Sequence, residues 1–246
     1  MARYQIILAY DGSALSGSQR QANSRTAQSE LEAALRRLGW QGRSILLAGR
    51  TDTGVHASGQ VAAFDLAWNH STDELVRALN SQLPADLAVR AAKIVHDGFH
   101  PRFDALARRY RYRLYCQPTR DPLRERCAWR LWPAPQPEAL HSAAQLLIGR
   151  HDFAPFGTPP RPGSSTVRTV MKAEWQQQSD EWTFEVQADS FLYRMVRRMV
   201  YLQAAVGQGK LPAQALADLL EGQPELVPAG LAPAHGLTLV EVLYPE

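Results

Sequence analysis

From Ala105 to Cys116 the chain alternates, with Tyr110, Tyr112, Leu114 and Cys116 on one side and Arg109, Arg111, Arg113 and Tyr115 on the other. A period of two residues is that of a β-strand, so this segment reads as a strand with one apolar and one basic face. Such a strand needs a sheet beside it and a core beneath it.

Before this strand, Tyr4 to Tyr10 reads as a strand that stops at Asp11-Gly12. Thr26 to Leu38 places Leu31, Ala34, Leu35 and Leu38 at helical spacing, and Gly39 ends the helix. Ser44 to Ala48 and Gln60 to Phe64 are short strands on either side of a glycine-bounded loop. Ser71 and Glu74 have the spacing of a capping box, opening a helix that runs to Pro84, and Leu87 to Val95 is a strand. After the basic strand, a Pro-rich stretch from Trp132 to Pro137 precedes a helix from Glu138 to Ile148, and Pro155 to Ser165 is a loop. Val167 to Trp175 and Trp182 to Ala188 form a hairpin about Ser179-Asp180, and Ser190 is the expected cap of a long helix ending at Gly207. A short helix from Pro212 to Leu220, a loop through Pro233 and a strand from Leu237 to Tyr244 close the chain.

Strands and helices in this irregular order predict an α+β fold of antiparallel sheet packed by helices. No Gly-x-Gly-x-x-Gly follows a strand, which disfavours a doubly wound fold and leaves nothing that asks for a nucleotide cofactor. The 246 residues suffice for one large domain or two modest halves. Cys116 and Cys127 are the only cysteines, without metal-ligand spacing, so neither a disulfide framework nor a metal site is expected, and a reducing cytoplasm is. No apolar run reaches bilayer length and the N-terminus does not read as a signal peptide, so no membrane role is expected. A net charge of +3 decides little by itself, but arginine is concentrated at 108, 109, 111 and 113 and again at 194, 197 and 198. Clustered positive charge suits a phosphate backbone, and equally a solvated face.

Asp52 lies in Gly49-Arg50-Thr51-Asp52-Thr53-Gly54-Val55-His56, between two glycines on a loop joining two strands. A carboxylate there is accessible at a fixed angle, and Arg50, two residues earlier, would favour its ionised form if the chain is extended. A turn aspartate bonding its own backbone is the other account, and local pattern leaves both open. Asp52-Thr53-Gly54 also spells the aspartic-protease triplet, but Arg50-Thr51 precede it where apolar residues belong, and an adjacent arginine opposes a shared proton. His56, next to the loop, could act as an acid or base, or be structural. Tyr110 is a core aromatic or a ring stacked on an unpaired base.

Together these segments resemble the tRNA pseudouridine synthases of the TruA type. The resemblance spans nearly the whole chain: the motif at 49 to 56, Gly59-Gln60-Val61, Phe99-His100-Pro101-Arg102-Phe103, Arg108-Arg109-Tyr110-Arg111-Tyr112, His151-Asp152-Phe153, Phe191-Leu192 with Met195-Val196-Arg197, and Ala232-Pro233-Ala234-His235-Gly236-Leu237. It implies Asp52 as catalytic nucleophile, Arg50 and Arg197 as its basic neighbours and Tyr110 at the target uracil. Arg109, Arg111, Arg194 and Arg198 are then expected on RNA. The implied reaction isomerises uridine to pseudouridine in the anticodon stem-loop of tRNA, without metal or cofactor, in a cytoplasmic homodimer. The implied fold is two similar halves, 1–104 and 105–246, joined into one continuous antiparallel sheet with a central cleft. A non-catalytic RNA-binding protein or RNA chaperone is the alternative, since charge and aromatics alone support binding.

This chain departs from the family pattern at Ser18, where relatives usually carry tryptophan, at Thr53 in place of alanine, and at Arg198-Met199 and Tyr201 in place of Asn-Ile and Gly. None of these changes removes Asp52, Tyr110 or Arg197.

Overall fold

The computed structural model describes residues 1–223 and 228–245. They group into two compact units, Met1–Leu106 with the C-terminal residues from Thr238, and Ala107–Leu237. The division expected at 104/105 differs at the far end of the chain. The C-terminal strand Leu237–Leu243 pairs with a strand of the first unit, Thr238 lying opposite His56 and Leu239 opposite Ala57. That pairing is parallel, so the sheet is not purely antiparallel as the pattern predicted. Apolar alternation reports that a strand is buried; it does not name its neighbour or its direction.

In the first unit, β1 (Ala2–Tyr10) buries Tyr4, Ile6, Leu8 and Tyr10. Helix α1 (Ala27–Arg37) presents Leu31, Ala34 and Leu35 to the core. Thr26 caps it: its hydroxyl accepts from Ser29 N–H at 3.1 Å, and Ser29 Oγ accepts from Thr26 N–H at 3.0 Å, which satisfies two backbone donors that a helix start leaves open. Strand β2 (Leu46–Leu47) is antiparallel to β3 (His56–Leu66), which is antiparallel to β1. Helix α2 (Thr72–Asn80) starts at the expected Ser71–Glu74 capping box, and β4 (Leu87–Val95) pairs with the other edge of β1. Glu32 is fully buried on α1, yet it accepts from Arg20 Nη1 at 2.7 Å, Gln28 Nε2 at 2.9 Å and Ile45 N–H at 3.1 Å. A buried carboxylate is tolerable when so compensated. This one fastens the loop around Arg20 and the run-in to β2 onto α1.

In the second unit, β5 (Ala107–Tyr115) is the basic strand, with β6 (Trp129–Arg130) parallel to its end. Helix α3 (Pro137–Gln145), β7 (Gly149–Asp152), β8 (Val167–Gln178) and β9 (Glu181–Ala188) follow. The strand order is β5-β9-β8-β7, and the β8–β9 hairpin turns at Ser179, whose φ is +57°. One face of β5 buries Tyr110, Tyr112 and Leu114, as its alternation predicts. Tyr115, on the basic side, is nevertheless fully buried. The segment after β5 folds back over it, with Arg124 above the ring at 4.4 Å and the hydroxyl bonded to Asp121 N–H and Glu125. Helix α4 is Met195–Gly207 and α5 is Ala213–Leu220.

Helix α4 begins later than expected. Residue 193 forms an antiparallel bridge with Thr158, and Arg194, at φ +66°, is the residue before the first turn, so Ser190 is not the cap. Pairing to a distant loop overrides the local capping signal. The expected loop before Pro233 includes residues 224–227, which lie outside the described residues. No described helix is long and apolar enough to cross a membrane.

Candidate active site

Asp52 sits in the connection from β2 to β3, and the chain on both sides of it is pinned. Ala48 N–H extends the β2–β3 ladder by donating to Val61 C=O at 2.9 Å, and Gln60, fully buried on β3, donates through Nε2 to Gly49 C=O at 3.0 Å. Thr51, immediately before Asp52, has each of its polar groups engaged. Its N–H donates to Ser18 Oγ at 2.8 Å, its C=O accepts from Ser18 N–H at 3.1 Å, and its hydroxyl meets the Tyr10 hydroxyl at 2.8 Å. After Asp52, Val55 N–H returns to Asp52 C=O at 3.1 Å, a turn that passes through Gly54 at φ +80°. Gly17 lets the loop holding Ser18 come this close. It lies at φ +89°, and a Cβ there would stand 2.7 Å from Thr51 O.

The Tyr10 hydroxyl joins this buried network, 2.8 Å from the Thr51 hydroxyl and 3.5 Å from Gln60 Nε2. Burial pushes its pKa up, with its hydrogen bonds opposing, so it stays a neutral phenol that can donate and accept. A backbone held this way leaves Asp52 little freedom except in its own side chain, the condition for aiming a carboxylate.

Arg50 departs from the sequence-based expectation. Its side chain is exposed and makes no hydrogen bond or ion pair with any described residue, so the chain does not direct it onto Asp52. Thr51 is turned inward by its three bonds, and its neighbour Arg50 is left on the solvent side. His56 is buried, and its Nδ1 accepts from Gly12 N–H at 3.0 Å. That bond uses the nitrogen lone pair to hold the turn after β1.

The other expected site residues lie in the second unit. Tyr110 is almost fully buried, with Phe191 standing edge-on to it at 5.0 Å between centroids. Arg197, on α4, donates through Nε to Ala232 C=O at 2.8 Å, and Ala232 N–H returns to Arg197 C=O at 3.1 Å. Two residues along β5 from Tyr110, the Tyr112 hydroxyl donates to Pro233 C=O at 2.9 Å. Burial raises the Tyr112 pKa well above the usual phenol range, with the Arg197 charge pulling the other way. The segment 232–236 is thus drawn onto β5 and α4. Gly236 is required there because a Cβ would meet the Tyr112 ring at 2.5 Å.

The four arginines expected on RNA divide. Arg111 pairs with Glu185, directly across on β9, at 2.7 Å, so much of its charge is offset within the sheet. Arg109 is half-buried opposite Gln187. Arg194 is exposed and stacks over Tyr193 at 4.7 Å. Arg198 donates to Pro228 C=O at 2.7 Å and Gly230 C=O at 3.0 Å, and burial lowers its pKa. It anchors a loop, and Tyr201, another departure from the family pattern, lies against the same loop, where a Cβ on Gly230 would be 2.4 Å from its ring. Arg194 stands at the start of α4, before its first turn, so of the three clustered arginines only Arg197 and Arg198 lie within the helix.

Reading the sequence missed Ser18, Tyr10 and Gln60 as supports of the Asp52 loop. Tyr10 and Gln60 carried a faint signal, as polar groups at positions whose neighbours mark buried strand; Ser18 stood out only as a departure from the family's tryptophan.

The family model described as tRNA pseudouridine synthase matches residues 6–104 and 143–245. A tRNA pseudouridine synthase A of Methylacidiphilum infernorum is 40% identical, covering 98% of this chain and 95% of the relative. Proteins of the same name from Paraburkholderia phymatum and a Geobacter species are 38% and 39% identical over all of this chain and 92% and 100% of theirs. Among solved structures, an archaeal box H/ACA sRNP Nop10-Cbf5 complex is similar at 11% identity and a TM-score of 0.41, covering 83% of this chain and 44% of that one, too remote to bear on the assignment. Full-length identity of this order, together with a family model that takes in the Asp52 loop, Tyr110's strand excepted, and the Arg197 helix, places the chain in the tRNA pseudouridine synthase family.

Proposed function

We propose that this protein isomerises uridine to pseudouridine in the anticodon stem-loop of tRNA, with Asp52 as the nucleophile. The observation that carries this reading is the loop at 49 to 56, whose backbone is hydrogen-bonded on both sides of Asp52 while the carboxylate itself is only half-buried. In the reaction, uracil is detached from its ribose, turned and rejoined through carbon. The same atoms are present before and after, so no cofactor is consumed.

A target base stacked in a stem-loop must be flipped out to meet Asp52. Tyr110, braced by Phe191, replaces the lost stacking. Arg197 is the basic residue assigned to the catalytic set. Arg50, exposed and unbonded to any described residue, is left for the phosphate backbone of the flipped strand. Arg194 and Arg109 contribute further positive charge toward RNA. Arg111 and Arg198 are assigned to the fold, because acidic or carbonyl oxygens of the protein already hold them. The working form is a cytoplasmic homodimer.

The test is Asp52→Asn, assayed on an unmodified tRNA transcript. The variant is expected to keep its fold and tRNA affinity and to form no pseudouridine. Conversion at the wild-type rate rejects the reading. Wild-type protein that binds the transcript without converting it favours the RNA-chaperone alternative, and light scattering of the purified protein decides the dimer.

A further inference from the structure

We propose that Ser18 is a positioning residue for the reaction: its hydroxyl and backbone together clamp Thr51 and so set the angle at which Asp52 is presented. The proposal rests on the reading of Asp52 as the catalytic carboxylate.

Ser18 is fully buried. It grips Thr51 at two points, accepting from its N–H at 2.8 Å and donating to its C=O at 3.1 Å, so the peptide units on both sides of Thr51 are tied to one residue. Its own carbonyl accepts from Gln28 N–H at 2.9 Å, and Gly17 C=O accepts from Ala27 N–H at 3.3 Å. These are donors in the first turn of α1, which have no partner within the helix. Ser18 therefore transmits the position of α1, a rigid element, to the residue before Asp52. The Tyr10 hydroxyl holds Thr51 Oγ1 as well, at 2.8 Å.

The backbone half of the clamp needs only a chain passing through this point. The hydroxyl half needs serine. Without Oγ, Thr51 N–H is left in a buried site with no acceptor, and the peptide plane before Asp52 turns to find one. A small displacement of a reacting group has a disproportionate effect on turnover.

The experiment is single-turnover conversion of a tRNA transcript by Ser18→Ala, Ser18→Thr, Tyr10→Phe and Asp52→Asn, with thermal melts of each. Ser18→Ala is expected to lower the single-turnover rate by about 10- to 100-fold at unchanged tRNA affinity, and Ser18→Thr, which restores the hydroxyl, to recover most of it. A merely structural role would lower the amplitude, through loss of folded enzyme, and leave the rate of the remainder unchanged. A wild-type rate for Ser18→Ala beside an inactive Asp52→Asn overturns the clamp alone. A wild-type rate for Asp52→Asn overturns the catalytic reading and the clamp with it. If Ser18→Ala does not fold, Tyr10→Phe decides: a reduced rate supports the network and a wild-type rate overturns it.

Discussion

Phe191 meets the ring of Tyr110 edge-on, at 5.0 Å between centroids and 85° between planes. An edge-to-face contact fixes the plane of the tyrosine ring, because the positive edge of one ring seeks the negative face of the other. Phe191→Leu keeps apolar contact and loses this orientation. It is expected to lower stability by about 0.5–1.5 kcal/mol and to reduce kcat/KM for tRNA several-fold, measured by thermal melting and steady-state conversion. Unchanged kcat/KM would mean that the orientation of Tyr110 does not matter.

Arg197 is tied to the 232–236 segment by its Nε and its carbonyl. If its charge serves the reacting carboxylate, Arg197→Met lowers kcat more than it raises KM. Wild-type kcat with weaker and less salt-sensitive binding would instead make it a phosphate contact.

At Gly59 the C-terminal strand passes close to β3: a Cβ there would lie 2.1 Å from Val240 O, a backbone atom that cannot swing aside. Gly59→Ala is expected to cost about 3 kcal/mol or more, the upper end of overpacking, and to loosen the C-terminal strand. Hydrogen exchange across residues 237–243 checks this, and native protection there would contradict it.

Arg25 forms two 2.7 Å bonds to Asp86, and this pair holds the Asp86 carboxyl below its ordinary value despite partial burial. A lowered carboxylate pKa stabilises the fold above the unfolded value of about 3.9, and the contribution is lost as pH falls through the folded value. Both side chains are about a third to a quarter exposed, so solvent screens the pair and Asp86→Asn is expected to cost about 0.5–1 kcal/mol at pH 7. Denaturant midpoints of the two proteins should converge in strong acid; a constant gap would show that the effect is not ionic.

Burial, and then the nearby Asp180 carboxylate, push the Cys116 thiol up to about 11. In a Cys127→Ser background, native Cys116 is expected to react with iodoacetamide at pH 7.5 about 100-fold more slowly than a free cysteine, following its thiolate fraction. Reaction at the free-thiol rate would place Cys116 in open solvent.

What could be read from the sequence was local. The period-two pattern of β5, the Ser71–Glu74 and Thr26 helix starts and the hairpin at Ser179-Asp180 each depend on residues a few positions apart, and each stands in the structure. The motif around Asp52 was legible in the same way, as a contiguous string. The failures were cases of distant chain deciding a local outcome. Ser190 is a good cap in isolation, but pairing of Tyr193 with Thr158 delays α4 to Met195. Arg111 reads as a free cation until Glu185 lies across from it, and Arg50 reads as a partner of Asp52 until the bonds on Thr51 leave it outside. Strand direction was hidden too, because alternation is the same for parallel and antiparallel neighbours. The sequence by itself determined the family and named the residues proposed to carry the chemistry. Only the tertiary structure decided that Ser18, 33 positions before Thr51, holds the carbonyl and the N–H on either side of it, because a hydrogen bond depends on separation in space and leaves no spacing in the chain.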